Sequence, residues 1–128
     1  MVNKLTIKTE KRVIVTTDIH GCFDALQTLL EKVNFTEDDI LVIAGDSIDR
    51  GPDSDKVLRF IRDNENVHCI LGNHEDMALK ALRTGEPDWM YTFRLNGGDW
   101  LMFHDAQNEL LNIMEEFPDI IEIQKGNR

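Results

Sequence analysis

The chain has 128 residues, a formal net charge of −10, 41% hydrophobic and 30% charged residues, enough for one modest globular domain with a single core. The acidic balance argues against a broad basic surface for nucleic acid, no apolar run reaches the length of a membrane span, and the N-terminus lacks the apolar h-region of a signal peptide. Cys22 and Cys69 make no disulfide framework, so a reducing cytoplasm is the default setting.

Residues 1–11 are polar and mixed and read either as a frayed start or as a first edge strand. Val13-Ile14-Val15 is a short β-branched run that predicts a buried strand ending at Thr17. Phe23, Leu26, Leu29, Leu30 and Val33 recur at helical spacing, predicting an amphipathic helix over roughly 23–33. After the polar turn at 36–39 comes a second buried strand, Ile40 to Ala44, and a loop from Gly45 to Gly51. Pro52-Asp53-Ser54 is a helix start, with Val57, Leu58 and Ile61 as its buried stripe. Val67 to Leu71 is a third strand. Met77, Ala78, Ala81 and Leu82 mark a third helix, stopped at Thr84-Gly85 with Pro87 beyond. Strand, loop and helix thus occur three times, which implies right-handed crossovers and a parallel sheet.

Beyond Gly85 the pattern changes. Trp89, Met90, Tyr91 and Phe93 cluster, and Arg94 to Trp100 reads as a glycine loop. Leu110, Leu111, Met114 and Phe117 predict another helix, ended by Pro118, and Ile120 to Ile123 begins a strand. The aromatic residues, Trp100 included, read as packing rather than as a substrate platform. His68 and His104 have no evident partner.

Each of the three strands delivers a polar trio onto its loop: Asp18-Ile19-His20, Asp46 with Asp49-Arg50, and Asn73-His74-Glu75. Asp18, Asp46 and His74 stand at even intervals of 28 residues. The carboxyl ends of the strands form the ligand crevice of such a sheet. If the backbone stays extended past Thr17, Asp18 and His20 point to one side and reach one ion. Carboxylate, imidazole and amide oxygen suit Mn, Fe or Zn. Asp18, His20 and Asp46 could hold a first ion, and Asp46 could bridge to a second that also takes Asn73. Two ions about 3.5–4 Å apart activate water and clamp a phosphate. His74 is then a candidate general acid, Asp49 its orienting carboxylate, and Arg50 a fork for phosphate oxygens. Singly, a histidine here is more often a core or surface residue, and an aspartate a cap; it is the conjunction of three trios that points to a site.

At these residues the chain resembles the calcineurin-like metallophosphoesterases, and within them the bacterial and phage serine/threonine protein phosphatases. The segments are Asp18-Ile19-His20-Gly21, Gly45 to Gly51 with its Asp49-Arg50-Gly51 ending, and Gly72-Asn73-His74-Glu75. Asn96-Gly97-Gly98-Asp99-Trp100 also resembles a segment of those members. The resemblance implies an α/β fold, a sandwich of two mixed sheets between helical layers (α/β/β/α). It implies two divalent ions, Mn2+ first, with Fe or Zn as alternatives. Asp18, His20 and Asp46 would hold one ion and Asp46 and Asn73 the other, with the His74–Asp49 acid pair and Arg50 on phosphate.

Two departures qualify what it implies. Many protein phosphatases carry arginine where Leu71 stands, and leucine there also occurs in diadenosine tetraphosphatases. Two further family histidine motifs, Val-His-Ala-Gly and Gly-His, are missing, so the second metal site is incomplete in this chain. The expectation is one metallophosphoesterase domain over residues 1–128 that lacks the C-terminal half of the family fold and leaves apolar surface free for self-association. The expected activity is phosphoester hydrolysis on a phosphoprotein or small phosphoester, with no nucleic acid or membrane partner. The alternatives are a dinucleoside polyphosphate hydrolase and a non-catalytic metal-binding or protein-interaction remnant.

Overall fold

Three apolar runs pair in parallel as one sheet, β2 (Val13–Thr16), β3 (Ile40–Ile43) and β4 (Val67–Cys69), in the order β2-β3-β4. The computed structural model describes residues 2–128. All four residues of β3 are buried, as a central parallel strand covered on both faces must be. Its register sets Thr16 beside Ile43, and Ile43 beside Cys69. The three strands therefore end level, and their three loops open side by side.

Helices α1 (Phe23–Lys32) and α2 (Ser54–Asp63) follow the first two loops. α2 buries Ser54, Val57, Leu58 and Ile61, a one-sided stripe at helical spacing. α3 (Asn73–Thr84) follows the third loop and ends at Gly85, whose φ of 71° supplies the left-handed cap. Then come α4 (Pro87–Leu95), α5 (Asp99–Met102), α6 (Gln107–Glu115) and β5 (Ile120–Lys125). α3 packs on α4 and α6, and α6 on α2. One core runs through all of them, with Leu26, Leu41, Ile43, Leu58, Phe93, Leu110 and Met114 among its buried members. β5 returns to pair in parallel with β1 (Lys4–Thr9) as a separate two-stranded sheet. The Leu71 N–H donates to the Pro118 carbonyl (2.9 Å), tying the chain ahead of β5 to the end of the first sheet.

A bidentate ion pair joins the sheet to its helical layer. Arg12 Nε and Nη2 donate to Asp39 at 2.9 and 2.8 Å, and Nη2 also donates to the Val33 carbonyl at 2.7 Å. The end of α1 and the entries to β2 and β3 are thereby locked together.

The α/β class and the strand–loop–helix order agree with the sequence reading, and the residues ahead of β2 form a strand. Several details differ. Asp18 and His20 have φ of 55° and 46°, so the backbone there is left-handed, not extended. α3 begins at Asn73, well before its first apolar residue, and β4 ends at Cys69. Much of the expected glycine loop is helical: Arg94 and Leu95 belong to α4, Asp99 and Trp100 to α5. α4 shows why the pattern misled. Pro87 at its first turn is a helix-starting signal, but its aromatic residues do not form one stripe: Phe93 is buried and Tyr91 is 67% exposed. The paired strands of both sheets run parallel, where mixed sheets were implied. Among the described residues, no helix is long and apolar enough to cross a membrane.

Candidate metal centre

The first two loops are zipped together by their backbones. Asp18 N–H donates to the Gly45 carbonyl (3.2 Å), His20 N–H to Asp46 (3.0 Å) and Gly21 N–H to Ser47 (2.8 Å). Gly51 N–H returns to the His20 carbonyl at 2.8 Å. Asp18, His20, Asp46, Asp49 and Arg50 all hold positive φ, which costs a non-glycine residue energy and persists only where the surroundings enforce it. Those turns bring Asp18, His20 and Asp46 toward one another. Ligand atoms of Asp18, His20 and Asp46 lie within 4.8 Å of one another, the spacing a single ion can span. His20 Nδ1 is 2.9 Å from the Ile48 carbonyl. A carbonyl only accepts, so Nδ1 carries the proton and Nε2 is the nitrogen left for an ion. This donor set fits a divalent cation.

The third loop presses onto the second at Gly72. A Cβ there would lie 2.5 Å from Asp46 N and 2.7 Å from Asp46 Oδ1, so only glycine fits. The start of α3 then meets Asp46: the His74 N–H donates to Asp46 Oδ1 at 3.0 Å. Asp46 thus serves as an acceptor for an otherwise orphaned helix N–H while its carboxylate faces the cluster. Asn73, the first residue of α3, is exposed beside it.

His74 is 7% exposed, and its ring meets the His20 ring edge-on at 4.8 Å between centroids. Its Nδ1 donates to Asp49 Oδ2 at 2.7 Å. Asp49 is fully buried, and burial pushes its carboxyl above the usual carboxylate range; donors from Trp100 and His74 pull against that shift. Arg50 is exposed at the loop's rim. Leu71 packs against the core and offers no charge.

Sequence reasoning gave Glu75 no role and read Trp100 only as packing. Glu75, fully buried, accepts from Asp46 N (3.1 Å), Ser47 N (2.8 Å) and Ser47 Oγ (2.8 Å). It holds the Asp46 turn from below, and burial raises its pKa against those donors. Trp100 Nε1 donates to Asp49 Oδ1 at 2.7 Å. Both lay inside segments already singled out, yet nothing in a one-dimensional spacing says what a side chain touches. His104 also finds partners: its Nδ1 accepts from Ala106 N (3.0 Å), and its Nε2 lies 3.6 Å from Asp55. That is a structural role, away from the cluster.

A parallel α/β sheet with carboxylates and imidazoles gathered at its carboxyl ends defines a scaffold with a candidate metal site. The chain belongs to the calcineurin-like phosphoesterase family, whose model matches residues 11–126. It is 36% identical over 124 residues to serine/threonine-protein phosphatase 2 of Salmonella typhimurium, covering 92% of this chain and 55% of that one. It is 51% identical over 70 residues to the symmetrical bis(5'-nucleosyl)-tetraphosphatase of Hamiltonella defensa, covering 53% of this chain and 25% of that one. A crystal structure described as a candidate diadenosine tetraphosphatase superposes with a TM-score of 0.76 at 29% identity, covering 96% of this chain and 50% of that one. The chain spans about half the length of the Salmonella relative and of this structure.

Proposed function

We propose that the chain carries the site of a metal-dependent phosphomonoester hydrolase of the serine/threonine protein phosphatase type. The observation that supports it best is the convergence of Asp18, His20 and Asp46 within 4.8 Å, with the buried His74–Asp49 pair beside them. Asp18, His20 and Asp46 would hold one divalent ion, and Asp46 with Asn73 a second. Mn2+ is the first choice, with Fe or Zn as alternatives. Bound there, the ions would supply positive charge to the phosphoryl group and acidify the attacking water. Arg50 binds phosphate oxygens from the rim. Water attacks phosphorus in line and releases one proton to solvent, the bond to the leaving oxygen breaks, and His74 gives that oxygen its Nε2 proton while Asp49 holds the ring at Nδ1. The products are an alcohol and inorganic phosphate.

A second reading, hydrolysis of a dinucleoside polyphosphate, is favoured by Leu71, an uncharged residue packed into the core where many protein phosphatases have arginine. In either reading the setting is the cytoplasm. The test is Mn2+-dependent release of phosphate from a phosphoserine peptide and from diadenosine tetraphosphate, beside Asp46→Asn. Peptide hydrolysis lost in the variant supports the first reading, and turnover of the dinucleotide alone supports the second. A folded, metal-binding chain that hydrolyses neither overturns both and leaves a binding module.

A further inference from the structure

The Asp49 carboxylate sits in a fully buried position with both oxygens engaged: Oδ2 by His74 and Oδ1 by the indole N–H of Trp100, each at 2.7 Å. Its own N–H donates to Ser54 Oγ at 3.0 Å. A carboxylate held at one oxygen can still turn about its Cβ–Cγ bond. With donors on both oxygens its plane is fixed, and with it the axis along which it meets the imidazole.

The segment that brings Trp100 here is built for close approach. Gly97, at φ 96°, lies over the second loop, where a Cβ would sit 3.1 Å from Arg50 N and 3.2 Å from its Cγ. Gly98 lies against the buried ring of Phe93 and donates to the Phe93 carbonyl at 2.9 Å. Leu101, the next residue, is fully buried in the core. The short helix α5 therefore has one face in the core and delivers one donor to Asp49.

We propose that Trp100 is a positioning residue for the acid pair, acting through Asp49 to hold the His74 ring in the orientation that delivers its proton. The inference rests on the reading of His74 as general acid. Trp100 touches neither phosphate nor ion in this assignment. It sets the angle and tautomer of the group that does, as outer carboxylates do for imidazoles elsewhere. Removing the indole N–H should leave substrate binding intact and slow only the step in which the leaving oxygen needs a proton.

The experiment pairs spectroscopy with kinetics on the purified chain. In proton–nitrogen spectra, Trp89→Phe assigns the two indole signals. The Trp100 indole proton should exchange with water more slowly than that of Trp89, and its shift should move in Asp49→Asn. The downfield His74 Nδ1 proton should shift or vanish in Trp100→Phe. In steady-state assays, Trp100→Phe should lose about tenfold in kcat on a phosphoserine peptide, with KM within about twofold, and lose less on p-nitrophenyl phosphate, whose leaving group needs little protonation. A fast-exchanging indole proton that ignores Asp49→Asn, or an unmoved His74 proton in Trp100→Phe, overturns the proposal. So does an equal kcat loss on both substrates. If Trp100→Phe fails to fold, the indole signal in the parent chain and in Asp49→Asn still decides. If the parent chain hydrolyses nothing, the hydrolase reading falls, while the spectra still decide whether Trp100 positions the pair.

Discussion

Glu75 shows how much of the site depends on a residue that never meets substrate. Its carboxylate takes three donors from Asp46 and Ser47, the two from Ser47 fully buried. Glu75→Ala would leave those donors unpaired, so the chain should lose about 3 kcal/mol in urea unfolding, together with affinity for divalent metal in titration calorimetry. Asp39 makes a different, pH-dependent contribution. Hydrogen bonds from the Arg12 guanidinium and the Thr36 N–H hold its carboxyl down at about 2. Its folded value lies below the unfolded one, near 4. The stability it confers is therefore complete above about pH 4 and is lost as the pH falls toward 2. Asp39→Asn should be less stable than the parent at pH 7, and the two melting curves should converge on acidification through that window.

At the scale of elements, the reliable signals were those that repeat. β-branched runs and helical stripes located β2, α1, β3, α2 and α6 closely, although β2, expected to be buried, leaves Val15 62% exposed. The errors fell where an element has no stripe or is started by something outside itself. α3 begins at Asn73 because its first N–H groups find acceptors in Gly72 and Asp46, and Asp46 lies 27 residues away from Asn73 in sequence. α4 and α5 form around the buried Phe93 and Leu101, single anchors too sparse to show a period. Two glycines separate conformational from steric cost. Gly85 caps α3 at φ 71° with nothing near its absent Cβ, whereas Gly72 lies against Asp46. Gly85→Ala should cost about 1 kcal/mol by thermal unfolding and leave metal binding unchanged. Gly72→Ala should lower metal affinity as well, because Asp46 must move.

For the whole molecule, the three loops become one site only because three strands end level. A site strained at five positive-φ residues, bearing several carboxylates, should be stabilised by the cation that neutralises it. Adding Mn2+ at about a hundred times its dissociation constant should raise stability by about 2.7 kcal/mol. A chelator should reverse the rise in melting temperature, and Asp46→Asn should abolish it.

Fold class, the strand–loop–helix succession and the gathering of Asp18, His20 and Asp46 were legible in the sequence, because apolar strands and loop chemistry are written locally and the three trios repeat at equal spacing. The left-handed turns at Asp18, His20 and Asp46 were not, since those φ values are imposed by the opposing loop rather than preferred by aspartate or histidine. Nor were the supports from Glu75, Trp100 and the start of α3. Those contacts join residues 28 to 51 positions apart, and a long-range hydrogen bond leaves no mark until the chain has closed on itself.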